Sequence, residues 1–325
     1  MLDNSHILIT GGTGTLGHAL VRLLLAEHSP RRVVILSRDE FKQSEMRRKF
    51  SESDTPVRYF IGDVRDGERL RMAFRNVDYV IHAAALKQVP ACEFDPLEAI
   101  KTNVHGAENV ILSALECGVK RVVNISTDKA IGLGNIYGAT KATAERLFTQ
   151  ANVYGKDDTR FASCRLGNLV GSRGSVVQIW AKAEYEDTPI IITDPSTRRF
   201  WVTVEGAARL ALYALADMQG GEVYVPRCSV LTMGELADIV APSVPHHVSG
   251  PRPGDRADEE LMTPEECKRA IEVDGHYIIP PLTLPRRDID WARRGRPFGR
   301  CAYETQTWPI KANRSDILTG MGEGL

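Results

Sequence analysis

Short apolar runs alternate with helix-like patterns through the first half of the chain. Runs rich in β-branched residues predict buried strands at 6–10, 33–36, 57–61, 78–82 and 121–126. Helical spacing of apolar residues fills the intervals, at about 16–28, 40–50, 66–75, 93–117 and 138–153. This alternation is typical of βαβ units. It predicts an α/β fold, a Rossmann-like doubly wound parallel sheet with helices on both faces.

The second half continues this pattern less regularly. Residues 160–166 predict a sixth strand, 203–217 a helix, and 222–225 a strand that returns to the sheet. A smaller, interleaved substrate-binding domain is therefore expected beside the dinucleotide-binding domain. We assign 1–167 and about 200–226 to the dinucleotide-binding Rossmann domain, and about 168–199 and 227–285 to the sugar-nucleotide-binding domain.

The C-terminal tail, 286–325, has weaker periodicity than the rest of the chain. Three interpretations stay open for it. The tail could wrap another subunit, cover the pocket, or form a loosely packed end.

Composition narrows the function classes. The 325 residues are 43% hydrophobic and 26% charged, which is ordinary for a globular protein. A formal net charge of -1 gives no reason to expect nucleic acid or an anionic membrane as a partner. The six cysteines lack a C-x-x-C pair, which argues against a zinc site or a disulfide framework, and we predict no metal. With no leader-like start and no apolar run of ~20 residues, a cytoplasmic protein is expected.

A glycine-rich loop follows the first predicted strand and precedes an apolar helix. Glycines there let backbone amides approach a pyrophosphate at a helix N-terminus. The position of the loop favours a dinucleotide site over a merely structural turn. Its residues are Gly11, Gly12, Thr13, Gly14, Thr15, Leu16 and Gly17.

The ends of the next strands extend this cofactor site. Ser37 and Arg38, with Lys42 nearby, suit a 2′-phosphate, whereas a carboxylate at this point would suit the 2′-hydroxyl of NAD. NADP is therefore favoured over NAD, with a solvated basic turn as the alternative. Further cofactor contacts are expected from residues that close the third and fourth strands, namely Asp63, Val64, Ala83, Ala84 and Ala85.

Groups that can transfer protons cluster in residues 126–141. Asp128 and Lys129 follow the fifth strand, and Tyr137 and Lys141 lie four residues apart as a helix begins. Side chains at that spacing share a helix face, so the lysine could favour the phenolate form of the tyrosine. An exposed polar turn is the alternative interpretation of Asp128 and Lys129.

With these pieces the chain resembles the extended short-chain dehydrogenase/reductase superfamily. More closely, it resembles the inverting UDP-N-acetylglucosamine 4,6-dehydratases of polysaccharide and pseudaminic acid biosynthesis. The resemblance runs from residue 1 to about 280. It is carried by ITGGTG (9–14), SRDEFKQ (37–43), IGDVRD (61–66), HAAALKQVP (82–90), KTNVHG (101–106), STDKA (126–130), YGATK (137–141), GNLVGSRGSV (167–176), RFWVT (199–203) and RPGD (252–255).

The resemblance implies a role for each catalytic residue. Tyr137 would take the proton of the C4 hydroxyl during hydride transfer to NADP, and Lys141 would bind the nicotinamide ribose and lower the tyrosine pKa. Thr127 would hydrogen-bond the C4 oxygen. Elimination of water across C5 and C6 would use Lys129, if neutral, as base at C5 and Asp128 as acid at C6. Hydride return to C6 would leave NADP unconsumed, and the group that reprotonates C5 stays open.

The substrate implied is a UDP-linked N-acetylhexosamine, and a homo-oligomer is expected by resemblance alone. Asn168 and three arginines, Arg173, Arg199 and Arg252, could bind the diphosphate. Lys87 could reach substrate or cofactor. Each also has a purely structural alternative. The predicted substrate-binding residues are Lys87, Asn168, Arg173, Val176, Arg199 and Arg252.

Two short segments depart from the pattern of this subgroup. Gly132, Leu133 and Gly134 replace an Asn-Pro-Ile-like turn, and 255–259 reads DRADE where EKLHE is usual. The first departure borders the sugar and the second the nucleotide. Two rival functions stay open: a UDP-hexose epimerase, which needs C4 oxidation but not Asp128 and Lys129, and a non-catalytic dinucleotide sensor.

Overall fold

The computed structural model describes residues 1–154, 159–251, 254–282 and 289–323. Within these ranges, no helix is long and apolar enough to cross a membrane. The strands, numbered along the chain, are β1 His6–Thr10, β2 Arg32–Ser37, β3 Val57–Ile61, β4 Tyr79–His82, β5 Arg121–Thr127, β6 Arg160–Leu166, β7 Asn168–Leu169, β8 Ile190–Ile192, β9 Arg198–Val202, β10 Val223–Pro226, β11 Ser229–Thr232, β12 His246–Val248, β13 Glu260–Met262, β14 Ile271–Val273, β15 His276–Ile279, β16 Arg296–Pro297 and β17 Tyr303–Glu304.

Twelve α-helices accompany the strands in the described part of the chain. They are α1 Thr15–Glu27, α2 Glu40–Lys49, α3 Gly67–Phe74, α4 Val89–Phe94, α5 Pro96–Ile100, α6 Gly106–Cys117, α7 Ile136–Tyr154, α8 Val176–Tyr185, α9 Val204–Asp217, α10 Met233–Val240, α11 Pro264–Arg269 and α12 Arg314–Glu323. A π-helical turn at Lys101–His105 joins α5 to α6, and a 3-10 turn at Asp128–Ala130 follows β5.

The large sheet confirms the predicted doubly wound architecture. Its order is β16-β14-β15-β10-β6-β5-β4-β1-β2-β3, and the strands from β10 to β3 are parallel. One face packs against α1 and α9, and the other against α3, α6 and α7. The carboxyl ends of β1, β4 and β5 meet at the point where the strand order reverses, which is where such sheets bind ligands.

The predicted helix at 93–117 is wrong as a single element. The chain forms α4, α5, the π-helical turn and α6 in succession. Pro90 and Pro96 lie in the first turns of α4 and α5, because proline lacks the amide donor that a helix interior requires. Apolar spacing alone does not reveal such breaks.

Three small sheets, β11-β9-β7, β12-β8 and β13-β17, lie outside the large one. Strands β14 and β15, within the range assigned to the sugar-nucleotide-binding domain, pair in the large sheet instead. The tail is packed against its own chain: Tyr303 and Ile317 are buried, and β17 pairs with β13. Its described part is thus not a loosely packed end.

Candidate active site

The glycine loop between β1 and α1 packs its backbone against the segment that follows β4. A Cβ atom on Gly11, where φ is +65°, would lie 2.8 Å from backbone atoms of Ala84. A Cβ atom on Gly17 would collide with the carbonyl of Gly12. Helix α1 begins after Gly14, and no side chain caps it there. Backbone alone therefore frames this helix N-terminus, which fits a dinucleotide pyrophosphate. Around the loop, Thr13, Leu16 and Val64 are buried, and Ala83, Ala84 and Ala85 are half-buried.

Two cations lie at the tip of β2. Arg38 is 51% exposed and 3.6 Å from Asp63, which Arg65 holds more closely at 2.6 Å. Lys42 pairs with Asp39 at 3.0 Å, and both are largely exposed. Exposed ion pairs contribute little to stability, so these cations can exchange partners at low cost. The buried Ser37 accepts a hydrogen bond from Nε2 of Gln43 at 3.1 Å, which fixes the strand end beside them.

Asp128 is the buried acid at the end of β5. Its Oδ1 atom accepts hydrogen bonds from the hydroxyl of Thr127 at 2.8 Å and from Nζ of Lys129 at 3.1 Å. Its Oδ2 atom makes no hydrogen bond within the described residues. Burial raises the pKa of Asp128 to about 7, and the charge of Glu259 adds to the rise, while Lys129 opposes it. The carboxyl can therefore hold a proton near neutral pH.

Lys129 lies between two carboxylates, so the condition set for its role as base, that it be neutral, is not met in the structure as it stands. Its Nζ atom is 3.1 Å from Asp128 and 2.9 Å from Oε1 of Glu259. Burial would lower the pKa of Lys129, but the two carboxylates outweigh burial and raise the pKa above its ordinary value. Lys129 rests as an ammonium ion, and desolvation alone does not make it a base.

Glu259 is the site residue that the sequence analysis missed. Besides Lys129, its side chain contacts Nε of Arg199 at 3.3 Å and Nδ2 of Asn168 at 3.3 Å. Burial raises its pKa, but Lys129, the neighbouring Asp128 side chain and Arg199 together outweigh burial and lower the pKa of Glu259 to about 2. A signal existed, since 259 is the position at which the DRADE segment keeps the usual glutamate. We call Asp128, Lys129, Asn168, Arg199 and Glu259 the Lys129 cluster.

Tyr137 and Lys141 lie on α7, as their spacing predicts. Burial raises the pKa of Tyr137 to about 12, and the charge that opposes this most is that of Lys129. Burial lowers the pKa of the buried Lys141 to about 8, although Glu145 opposes the shift. Lys129 is therefore the cation that favours the phenolate of Tyr137 in this structure, and burial outweighs it. Asn103, in the π-helical turn, donates to Thr140 at 3.0 Å and so ties this turn to α7.

A cavity opens over the Lys129 cluster. Arg256 reaches it from the segment before β13, and its Nη1 atom donates to the carbonyl of Ile131 at 3.2 Å. Gly132 and Gly134 lie under the Arg256 side chain, where a Cβ atom on Gly132 would collide with the guanidinium. The two departing segments of sequence are thus one structural unit. The cavity is lined by, among others, Asp128, Lys129, Ile131, Arg199, Arg256 and Glu259.

The other predicted substrate residues are spread over three places. Asn168 and Arg199 belong to the Lys129 cluster. Arg173 lies beside the glycine loop, where its amide donates to the hydroxyl of Thr15 at 3.0 Å. Val176 begins α8, Lys87 is exposed just before α4, and Arg252 lies outside the described residues.

The family model for polysaccharide biosynthesis proteins matches residues 7–281. The chain belongs to this family. The family is part of the extended short-chain dehydrogenase/reductase superfamily, and the resemblance expected from the sequence is confirmed.

Several known proteins match most of the chain. An inverting UDP-N-acetylglucosamine 4,6-dehydratase of Campylobacter jejuni serotype O:2 is 44% identical, over 98% of this chain and 97% of its own. A UDP-glucose 4-epimerase of Rickettsia felis is 36% identical, over 90% and 87%. The X-ray structure of Pen from Bacillus thuringiensis is 34% identical, with a TM-score of 0.89, over 100% and 98%.

Proposed function

We propose that this protein is an NADP-dependent, C5-inverting UDP-N-acetylglucosamine 4,6-dehydratase. The observation that carries the proposal is the contact between Asp128 and Lys129 at the end of β5, 3.1 Å from Oδ1 to Nζ, inside a cavity. A buried acid beside an amine is what elimination of water from a sugar requires. The 44% identity to a dehydratase of that name supports the same reaction.

The reaction begins at C4 of the sugar. Tyr137 accepts the proton of the C4 hydroxyl, and Thr127, which hydrogen-bonds Tyr137, steadies the C4 oxygen. The nicotinamide supplies a hydride acceptor at this stage and a hydride donor at the end. Because burial raises the pKa of Tyr137 to about 12, the phenol needs nearby cations to give up its proton, and Lys129 supplies one such charge.

Elimination follows at C5 and C6. The C4 ketone makes the C5 proton acidic, and Lys129 is placed to remove it once its own proton has moved to a neighbour. Asp128, with a pKa of about 7, gives its proton to the departing C6 hydroxyl. Both groups lie in one 3-10 turn, so they act on adjacent carbons.

The residues that would hold NADP fit the group. The glycine loop and the N-terminus of α1 suit the pyrophosphate, and Arg173 lies beside that loop. Arg38 and Lys42 suit a 2′-phosphate, which favours NADP over NAD. Tyr137 and Lys141 would bind the nicotinamide ribose. The homo-oligomer remains a prediction.

The test is incubation with UDP-N-acetylglucosamine and NADP in heavy water, followed by mass spectrometry of the product. The product should lack one molecule of water and carry one deuterium atom at C5. A product of unchanged mass formula would instead establish epimerisation, which the 36% identity to a UDP-glucose 4-epimerase favours as the second candidate. Lys129→Ala should keep NADP binding and abolish loss of water, and near-normal turnover of this variant would contradict the mechanism.

A further inference from the structure

The charges of the Lys129 cluster pose a question that the proposed reaction leaves open. Asp128 must be protonated to act as the acid at C6, although the Lys129 ammonium lies 3.1 Å from it and favours its carboxylate. Glu259 is the only other carboxylate within the described residues that pairs with the Nζ atom of Lys129, at 2.9 Å. Its charge is therefore the one that can offset the ammonium beside Asp128.

Building on the proposed function, we propose that Glu259 is a positioning residue that holds the Lys129 ammonium and offsets its charge, so that Asp128 keeps its proton for the departing C6 hydroxyl. Asn168 and Arg199 fix the Glu259 carboxylate at 3.3 Å each. The backbone amide of Glu259 donates to the hydroxyl of Thr305 at 3.0 Å, which anchors the residue to the segment after β17. The carboxylate is thus held from three sides and 4% exposed.

The same geometry couples Glu259 to Asp128. Two carboxylates that share one ammonium resist being ionised together, so the charge on Glu259 keeps a proton on Asp128. In the described structure, the other titratable or charged groups that face this pair are Arg199 from β9, Tyr137 from α7 and Cys228 from the segment between β10 and β11. Asp255 and Arg256 line the same cavity.

The variant Glu259→Gln tests the proposal. It should lower kcat by on the order of 100-fold while KM changes by less than about threefold, because its effect falls on the transition state. The pH above which the rate of water loss declines should also be lower than in the wild type, by about one pH unit or more. The reason is that Asp128 ionises more easily without the neighbouring charge. If kcat falls but the pH above which the rate of water loss declines stays the same, Glu259 has only a structural role and the proposal is overturned.

Two further variants complete the experiment. Glu265→Gln makes the same change at an exposed position of α11 and should leave kcat and the pH profile unaltered. Glu259→Asp keeps the negative charge but moves it farther from Lys129. The pH above which its rate of water loss declines should lie between the values for the wild type and Glu259→Gln. This intermediate shift tests the proposal even if Glu259→Gln does not fold, and the absence of a shift in Glu259→Asp would then count against it.

A separate readout distinguishes failure of this inference from failure of the proposed function. In the ligand-free protein labelled with carboxyl-13C aspartate, NMR follows the titration of Asp128, assigned by comparison with Asp128→Asn. If the wild type removes no water from UDP-N-acetylglucosamine, the proposed function fails. The inferred coupling fails separately if Asp128 titrates at the same pH in the wild type and in Glu259→Gln.

Discussion

The guanidinium of Arg256 occupies the space in which a side chain on Gly132 would have to lie. Gly132 has a φ of +76°, a conformation that favours glycine, and Arg256 donates to the carbonyl of the preceding Ile131 at 3.2 Å. Both segments border the cavity over the Lys129 cluster. The absence of a side chain at 132 therefore gives this arginine its place beside the substrate pocket.

Gly132→Ala should displace Arg256 from the cavity wall. Because the colliding atoms are the end of a flexible side chain, the cost in free energy of unfolding should be only that of the positive φ, about 1 kcal/mol. KM for UDP-N-acetylglucosamine should rise as much as in Arg256→Ala. The double variant should show no further rise, which steady-state kinetics can check.

Gly118→Ala is the matched control for stability. Gly118 has a φ of +68° and open space where its Cβ would lie, so it carries the same backbone strain without a collision. Denaturant unfolding should give similar losses for Gly132→Ala and Gly118→Ala, and only the former should alter KM. A rise in KM for Arg256→Ala but not for Gly132→Ala would mean that the arginine reaches substrate by another path.

Arg38→Ala should weaken NADP binding while leaving NAD binding almost unchanged. Arg38 is 51% exposed, and its ion pair with Asp63 is long, at 3.6 Å. Its charge is therefore available to a 2′-phosphate. Loss of a charge-assisted contact of this kind is worth about 1.5–3 kcal/mol, or roughly 10- to 100-fold in Kd. Isothermal titration with both dinucleotides measures the effect, with the exposed Arg31→Ala as control. Equal weakening for NAD and NADP would contradict the assignment to the 2′-phosphate.

Local sequence could predict the strands of the nucleotide-binding half. β1 and β3 have the predicted bounds, because each is a short run of β-branched, aromatic or other apolar residues flanked by turn residues. Asp128, Lys129 and Tyr137 could also be predicted as one site. Asp128 and Lys129 are neighbours directly after β5, and Tyr137 lies at the start of the next α-helix.

Contacts between distant segments lay beyond such a prediction. Glu259 reaches Lys129 only because the segment before β13 folds over the end of β5. The charge state of Lys129 depends on that contact, so the sequence could not decide whether the lysine is neutral. The π-helical turn around Asn103 could not be predicted for the same reason. Hydrogen bonds with Leu86 and Thr140 hold this turn, and the periodicity of the sequence does not reveal them.

Arg165→Met should destabilise the fold strongly at neutral pH. Arg165 on β6 is 2% exposed and joins Glu145 on α7, at 2.5 Å, to Glu266 on α11, at 2.9 Å. Removing the cation takes away the charge that the two buried carboxylates share, which costs about 3–5 kcal/mol. Denaturant unfolding measures this loss. Arg71→Met removes one end of the exposed pair with Glu116 and should cost less than about 1 kcal/mol.

The cost of Arg165→Met should shrink in acid. Burial raises the pKa of Glu266, but Arg165 outweighs burial and holds that pKa below its ordinary value. The contribution of the pair to the free energy of unfolding is therefore complete above the unfolded-state pKa of about 4.3 and is lost as pH falls through the lower folded-state pKa. A difference between wild type and variant that stays constant from pH 7 to pH 3 would refute this linkage.

Asp128→Asn should separate the two halves of the elimination. The amide cannot protonate the leaving hydroxyl, so loss of water should fall by a factor on the order of 100 or more. Lys129 keeps its contact with Glu259, so C5 deprotonation continues and deuterium from heavy water should still enter unreacted UDP-N-acetylglucosamine. In the wild type, loss of water should decline as pH rises through the Asp128 pKa of about 7, because the acid form disappears. Mass spectrometry of recovered substrate measures the exchange, and a variant that loses both exchange and elimination would show that Asp128 acts before C5 deprotonation.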